Sequence, residues 1–281
     1  MFDLSNKRAL VTGALGLLGR EHVGALTEGG ASIAILDVDE GPASDFAHAI
    51  HRRFGVDAVG VGADVTDEKS LKDARARIEA RIGPIDVLVN NAALNPKVEG
   101  NTNVVGNIRV AGNTDDASAT AFERYPIEAW QRALDVNVTG MFLCCRVFGA
   151  GMAEKGRGSI INIASTYGMV GPNQSLYRRP DGSQKMFKSP DYPTTKGAVL
   201  AFTRYLAAYW GHRGVRVNAL SPGGVENGQE DWFVTKYSER TPLSRMAAPS
   251  DYRGAVVFLA SDEASYMTGA NLVVDGGWTA W

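Results

Sequence analysis

The stretch that decides the fold is Thr12-Gly13-Ala14-Leu15-Gly16-Leu17-Leu18-Gly19. It lies between a predicted strand, Arg8–Thr12, and a predicted helix, Leu17–Glu28, so the glycines occupy a strand–turn–helix junction. Glycine permits a tight turn and a close approach of the backbone to a pyrophosphate. The start of the helix supplies unpaired N–H groups and the positive end of its dipole. We therefore predict a dinucleotide-binding turn here.

Further along the chain, apolar runs alternate with helical stretches. The runs that predict strands lie near Ser32–Asp37, Asp57–Val61, Ile85–Asn90, Ser159–Ala164, Val215–Leu220 and Asn271–Asp275. The predicted helices are Ala43–Arg53, Glu68–Ile82, Ile127–Glu154, Pro193–His212 and Asp251–Ala260, the last with Ser250 as its N-cap. Most strand runs are continuously apolar, which is typical of strands covered by helices on both faces. We predict an α/β fold, a Rossmann-type doubly wound parallel sheet of about seven strands in one domain over residues 1–281.

Two segments interrupt this alternation, residues 94–125 and residues 171–191. Long irregular segments in a compact domain are commonly lids or binding loops, and ligands of open α/β sheets lie beyond the carboxyl ends of the strands. We interpret both segments as substrate-side insertions. The second carries four basic residues, which either form a rim for a carboxylate or phosphate or are solvated charges: Arg178, Arg179, Lys185 and Lys188.

The second predicted strand ends at Asp37. A carboxylate at this position can accept hydrogen bonds from both hydroxyls of the adenosine ribose, and it repels a 2′-phosphate. No Arg or Lys lies between Gly30 and Ile50 to offset that repulsion. The sequence therefore predicts NAD rather than NADP as the cofactor.

Composition and charge narrow the choice of partners. The formal net charge of −2 provides no basic field for nucleic acid or an anionic membrane. We expect no membrane span, and the first residues lack a signal-peptide pattern, so we expect a cytoplasmic protein. The only cysteines, Cys144 and Cys145, are adjacent in an apolar helical stretch. They are predicted to be buried core residues, and no metal site is predicted.

Several motifs follow the glycine turn. They are Asp64-Val65, Asn90-Asn91-Ala92-Ala93, Asp135-Val136-Asn137-Val138-Thr139-Gly140, Asn162-Ile163-Ala164-Ser165, Tyr192-Pro193-Thr194-Thr195-Lys196, Arg216-Val217-Asn218, Ser221-Pro222-Gly223-Gly224 and Asp275-Gly276-Gly277. In this order, over nearly the whole chain, they resemble the short-chain dehydrogenase/reductase family. The resemblance implies an NAD(H)-dependent oxidoreductase that interconverts a secondary alcohol and a ketone.

The resemblance and the glycine turn together imply a set of site residues. The implied catalytic residues are Asn137, Ser165, Tyr192 and Lys196. The expected cofactor contacts are Gly13, Leu15, Gly16, Leu17, Asp37, Asp64, Val65, Asn91, Ala92, Ala93, Tyr192, Lys196, Pro222, Gly223 and Val225. Asp64 and Val65 are implied to contact the adenine.

Tyr192 and Lys196 are four residues apart, so they share one face of a helix. A phenol titrates near 10 in water, and an ammonium nearby favours the phenolate, so we expect Lys196 to lower the pKa of Tyr192. Tyr192 then exchanges a proton with the substrate oxygen, while Ser165 donates a hydrogen bond to that oxygen. The resemblance implies that Lys196 also binds the nicotinamide ribose, and that Asn137 holds a water linking Lys196 to solvent.

The chain departs from the family pattern at three places. Glycines at 13, 16 and 19 follow the spacing of the longer, nucleotide-sugar branch, Ala93 replaces a glycine, and Ser165 lies 27 positions before Tyr192, about twice the usual spacing. The substrate is predicted to be a polar sugar, sugar acid or polyol. Alternatives are a 3-oxoacyl-thioester reductase, an NAD-retaining nucleotide-sugar epimerase or dehydratase, and a non-catalytic NAD-binding regulator.

Two further features concern assembly and access. Met141–Phe148 and Ala198–Trp210 are apolar nearly all round, which favours burial of a second face against another subunit. We predict a homo-oligomer, either a tetramer or a dimer. Trp232 and Phe233 either belong to a mobile lid or pack as ordinary core residues.

Overall fold

Parallel pairing joins seven strands into one sheet in the computed structural model, which describes residues 2–95, 104–105, 108–109 and 120–281. The strands are β1 (Arg8–Thr12), β2 (Ser32–Asp37), β3 (Ala58–Gly62), β4 (Val87–Asn90), β5 (Val104–Val105), β6 (Ile108–Arg109), β7 (Gly158–Ile163), β8 (Val215–Pro222) and β9 (Asn271–Val274). The sheet order is β3-β2-β1-β4-β7-β8-β9, and β5 and β6 form a separate antiparallel pair. The predicted parallel sheet of about seven strands is confirmed.

The helices lie close to their predicted bounds. They are α1 (Leu17–Glu28), α2 (Glu40–Phe54), α3 (Glu68–Ile82), α4 (Ile127–Leu134), α5 (Met141–Cys144), α6 (Ala150–Lys155), α7 (Asp191–Trp210), α8 (Asp231–Ser238) and α9 (Arg253–Ala260). Two π-helical turns, Asp135–Gly140 and Cys145–Gly149, join α4, α5 and α6 into one helix. The sequence analysis did not predict α8.

The predicted N-cap of the last helix is wrong. Ser250 lies inside a 3-10 turn, Pro249–Tyr252, and α9 begins only at Arg253. The carboxylate of Asp251 accepts a hydrogen bond from the Ala248 N–H at 2.8 Å, so Asp251 caps the turn from within. Asp251 also pairs with Arg245, which a sequence pattern confined to the helix start cannot show.

Side chains that alternate along the strands fill two cores, one on each face of the sheet. Leu10 of β1 packs in one core, whereas its neighbours Ala9 and Val11 pack in the other. The core that contains Leu10 is covered by α3, the α4–α6 helix and α7, and the opposite core is covered by α1, α2 and α9. Cys144 and Cys145 are both buried as free thiols in the first core, as predicted.

The α4–α6 helix, Ile127–Lys155, bears on the expectation that no segment spans a membrane, because a membrane span has to be long and apolar. By length and composition this helix qualifies, with a window of mean hydropathy 1.4, and it is the one such helix among the described residues. Of that window, 61% is buried inside the protein, and the helix covers one face of the sheet. Its apolar character is therefore explained by the core.

Residues 171–191 form a folded insertion in the connection between β7 and α7. A 3-10 turn, Gln174–Tyr177, leads into a short hairpin in which the Arg179 N–H donates to the Ser183 carbonyl at 2.7 Å. The insertion ends where α7 begins, at Asp191. Most of the other predicted insertion, residues 94–125, lies outside the described residues.

Candidate active site

A cavity of about 580 Å³ lies beyond the carboxyl ends of β1, β4, β7 and β8. The strand order reverses direction between β1 and β4, and ligands of open α/β sheets bind at that crevice. The sequence-predicted residues that line the cavity are Gly13, Leu15, Gly16, Leu17, Asp37, Asn91, Ala92, Ala93, Ser165, Tyr192, Lys196, Pro222, Gly223 and Val225. One cavity therefore contains both the glycine turn and the Tyr–Lys pair.

The glycine turn leaves no room for side chains. Gly13 has a φ of 59°, and a Cβ there would lie 2.7 Å from the Cα of Ala92. A Cβ on Gly19 would lie 2.3 Å from the carbonyl oxygen of Gly13. The first residue of α1 follows Gly16, which offers no side-chain cap to the N–H groups of the helix start. This bare, positive helix end fits a pyrophosphate.

Asn91 fixes the glycine turn against the end of β4. Its side-chain amide donates to the carbonyl oxygens of Thr12 and Gly13, at 3.1 and 2.9 Å. In return, the Thr12 hydroxyl accepts hydrogen bonds from the backbone N–H groups of Asn91 and Ala92, both at 3.1 Å. The turn is therefore held in position by its own strand neighbours, before any ligand is considered.

Asp37 lies at the end of β2 on the wall of the cavity. One carboxylate oxygen accepts a hydrogen bond from the Leu15 N–H at 2.9 Å, and the other accepts one from the Val38 N–H at 2.9 Å. Asp37 thus also shapes the glycine turn, a role that the sequence analysis did not give it. A carboxylate oxygen has further lone pairs, so these bonds leave acceptor capacity for ribose hydroxyls.

Ser165, Tyr192 and Lys196 meet at the opposite end of the cavity. Ser165 follows β7, whereas Tyr192 and Lys196 lie on the first two turns of α7, on one face as predicted. Burial raises the pKa of Tyr192, and a hydrogen bond with the Ser165 hydroxyl lowers it. A phenol and a hydroxyl in hydrogen-bond contact can hold one substrate oxygen between them.

The expectation that Lys196 lowers the pKa of Tyr192 is wrong for this structure. The Lys196 ammonium donates to the carbonyl oxygen of Ile163 at 2.6 Å and lies 5.7 Å from the centre of the Tyr192 ring. Burial lowers the pKa of Lys196 to about 8, and burial also governs the pKa of the phenol. Desolvation is therefore the largest influence on the pKa of both groups.

Asn137 lies in the first π-helical turn and is buried. Its side-chain oxygen accepts from the Leu94 N–H at 2.7 Å, and its amide donates to the Leu94 carbonyl and the Thr195 hydroxyl, both at 3.0 Å. It therefore joins the segment after β4 to the helix that carries Tyr192. The side chain does not line the cavity, and its described bonds do not reach Lys196.

Asp64 and Val65, the predicted adenine contacts, are absent from the described lining of the cavity. The Asp64 carboxylate accepts from the N–H and the hydroxyl of Thr66, at 2.8 and 2.7 Å. Val65 is buried and lies where a Cβ on Gly140 would meet it, 2.8 Å away. Both remain predicted contacts.

Part of the cavity wall consists of side chains that the sequence analysis mostly missed, and we call this part the substrate end. Further side chains on the cavity wall are Asn95, Tyr167, Tyr177, Lys188, Gln229, Phe233, Tyr237 and Met246. Several of them form a third cluster, in which the insertion packs against α8. Phe233 is buried and reaches the cavity, so it is both a packing residue and part of the wall. Only the high aromatic content of these segments could have indicated this wall.

The fold and the cavity define the class of protein: an oxidoreductase that uses a nicotinamide cofactor. The chain belongs to the short-chain dehydrogenase/reductase family. Residues 7–178 match the profile described as short chain dehydrogenase, and residues 181–279 match the profile described as Enoyl-(Acyl carrier protein) reductase. The predicted family is confirmed, and with it the interconversion of a secondary alcohol and a ketone.

Two relatives and one solved structure are similar over the full chain. Galactitol 2-dehydrogenase (L-tagatose-forming) of Cereibacter sphaeroides is 35% identical, over 100% of this chain and 98% of that protein. D-threitol dehydrogenase of Mycolicibacterium smegmatis is 33% identical, over 99% and 95%. A gluconate 5-dehydrogenase from Burkholderia cenocepacia, in complex with NADP and tartrate, aligns with a TM-score of 0.83 at 28% identity, over 100% and 98%.

Proposed function

We propose that this protein is an NAD-dependent dehydrogenase of a polyol, sugar or sugar acid. One observation carries the proposal: Ser165, Tyr192 and Lys196 share a single cavity with the glycine turn and Asp37. The named substrates of the relatives, galactitol, D-threitol and gluconate, support a polyhydroxy substrate. The polar groups on the cavity wall, which include Asn95 and Gln229, support the same substrate class.

NAD is proposed because of Asp37. Its carboxylate lies on the wall next to the glycine turn, where it would accept hydrogen bonds from ribose hydroxyls and repel a 2′-phosphate. The related gluconate dehydrogenase is in complex with NADP, so the proposal of NAD rests on Asp37 of this chain and not on the relative. When bound, the nicotinamide supplies the hydride chemistry, and the protein supplies orientation and proton transfer.

Each residue of the Ser–Tyr–Lys set takes a separate role in this proposal. Tyr192 accepts the proton of the substrate hydroxyl in oxidation and returns it to the carbonyl oxygen in reduction. Ser165 hydrogen-bonds the same oxygen and fixes its position. Lys196 holds the cofactor ribose, and Asn137 orders the water that exchanges protons with Lys196. Asp64 and Val65 are the proposed adenine contacts.

We further propose a single-domain enzyme that works in the cytoplasm as a homo-oligomer, either a tetramer or a dimer. A row of aromatic rings supports the assembly. Phe142 contacts Phe202, Phe202 stacks on Tyr205, and Tyr205 stacks on Tyr209. Both of these tyrosines are exposed. Exposed stacked rings are more typical of a subunit interface than of a solvated surface. No membrane or nucleic-acid partner is proposed.

The test is a screen of polyols, sugars and sugar acids with NAD, in which NADH formation is followed by absorbance. We expect net NADH formation with at least one class of polyhydroxy compound, and a loss of kcat of about 10²- to 10⁴-fold in Tyr192→Phe. Tyr177→Phe is the matched control and should lose much less activity, because Tyr177 also lines the cavity but its hydroxyl lies 3.4 Å from the Tyr167 hydroxyl. Product without net NADH would favour an epimerase, and full activity in Tyr192→Phe would refute the proposal.

A further inference from the structure

Lys188 is the one basic residue of the insertion that lines the cavity. Arg178 and Lys185 are exposed, and Arg179 pairs with Glu230 on the segment before α8. Only 7% of Lys188 is exposed, and its ammonium lies 4.4 Å from the centre of the Tyr192 ring. Its charge therefore lies within a short distance of the reacting groups.

The backbone of Lys188 is fixed in this position by Gln174. The side-chain oxygen of Gln174 accepts from the Lys188 N–H at 2.8 Å, and its amide donates to the Lys188 carbonyl at 3.0 Å. The preceding residue, Phe187, is also fixed, because its N–H donates to the Thr120 hydroxyl at 2.8 Å. These bonds fix the backbone that carries the lysine before a ligand arrives, which reduces the entropy lost on binding.

The ammonium of Lys188 has fewer hydrogen-bond partners than a buried cation requires. It donates one hydrogen bond to the side-chain oxygen of Asn95, another wall residue. Within the described residues no carboxylate forms a salt bridge with it, although Asp191 is near enough to favour its charged form. A buried ammonium has three donors and is costly to leave without a counter-ion.

We propose that the ammonium of Lys188 binds a carboxylate of the substrate, so that the preferred substrate is a polyhydroxy acid rather than a neutral polyol. This inference rests on the proposed function and names its substrate class. A carboxylate would accept from Lys188 and from the amide of Asn95, while a hydroxyl of the same molecule reaches Ser165 and Tyr192. Burial lowers the pKa of Lys188 to about 8, so the lysine still carries its proton at neutral pH.

The first test compares D-gluconate with D-glucitol, which differ by a carboxylate at one end. We expect wild type to prefer gluconate, and Lys188→Met to lower kcat/KM for gluconate about 10- to 100-fold, mostly through KM. Glucitol should change less than about threefold, and Lys188→Arg should restore part of the preference for the acid. An equal loss for both substrates would mean that Lys188 acts on Tyr192 instead, and would overturn the proposal.

Lys236→Met is the matched control, because it removes a cation from α8 whose ammonium donates to the Arg178 carbonyl. It should leave both substrates within about twofold of wild type, as expected for a surface charge. Thermal denaturation of all variants shows whether each of them folds.

A binding measurement separates this inference from the proposed function. D-gluconate and tartrate are each titrated into the NAD-loaded protein by calorimetry. We expect at least one of them to bind wild type, and Lys188→Met to bind about 10- to 100-fold more weakly, whether or not turnover follows. Binding without turnover would refute the proposed substrate class and keep the carboxylate site. Equal binding by both proteins, or no binding of either acid by wild type, would overturn the carboxylate site.

Discussion

At the nucleotide end of the cavity the wall is made of backbone, whereas at the substrate end it is made of long side chains. Gly13 and Asn91 follow the ends of β1 and β4 and are joined by a hydrogen bond, and the N–H of Gly16, the residue before α1, donates to the Gly13 carbonyl. Tyr177 and Phe233 come from the insertion and from α8, outside the sheet, and pack on one another. The nucleotide end is therefore fixed by the sheet, while the substrate end depends on how two added segments pack together.

The largest effect is expected from a methyl group at the nucleotide end. In Gly19→Ala the new Cβ would lie 2.3 Å from the Gly13 carbonyl oxygen and 2.8 Å from the Cα of Ala14, so the turn must move. We expect NADH affinity, measured by fluorescence titration, to fall more than about tenfold, and stability to fall by about 1–3 kcal/mol. Gly254→Ala on α9, where nothing lies within 4 Å, is the control and should bind NADH like wild type. Normal binding by Gly19→Ala would show that this end is less rigid than the backbone contacts indicate.

A smaller effect at the same end is expected from Asp37→Asn. Asparagine keeps an oxygen that can accept from the Leu15 N–H, so the turn should persist while the negative charge is lost. We expect the ratio of kcat/KM for NAD to that for NADP to fall about tenfold, because both the ribose bonds and the repulsion of a 2′-phosphate weaken. The measurement is initial rates with each cofactor at a fixed substrate concentration.

Asp39→Asn is the control for Asp37→Asn. Asp39 is exposed two residues further on, and its side chain makes no capping hydrogen bond to α2. In Asp39→Asn the ratio of kcat/KM for NAD to that for NADP should match that of wild type. If Asp37→Asn and Asp39→Asn both leave the ratio unchanged, Asp37 does not select the cofactor.

The contrast between the two ends also explains what could be predicted from the sequence. Gly13 and Asp37 were predictable because a tight turn and a strand end each favour a particular residue type at a fixed position, whereas Ser165 was implied by the resemblance to the family. Lys188 could not be singled out from Arg178, Arg179 and Lys185, because its position depends on the bonds that Gln174 makes to its backbone. Such bonds join residues 14 positions apart through a loop, where no periodic pattern applies.

Two other differences between the sequence predictions and the structure have the same origin. The eight-residue helix α8 was not predicted, since it is stabilised by packing against the insertion rather than by its own sequence pattern. The raised pKa of Tyr192 was not predicted either. A helical spacing of four residues shows that Lys196 is near, but it does not show how completely the pair is removed from water.

The smallest effect is expected at the contact between the insertion and α8. The Arg179 guanidinium lies 2.8 Å from the Glu230 carboxylate, but both side chains are partly exposed, and such pairs contribute about 0–1 kcal/mol. Arg179→Met should therefore lower stability by less than about 1 kcal/mol in urea denaturation and leave kcat/KM within about twofold. Leu176→Ala is the contrast, because Leu176 is fully buried in the third cluster and its truncation should cost about 2–5 kcal/mol. If Arg179→Met were instead as damaging as Leu176→Ala, the substrate end would be held by charge rather than by apolar packing, and its dependence on the insertion would have to be explained by electrostatics.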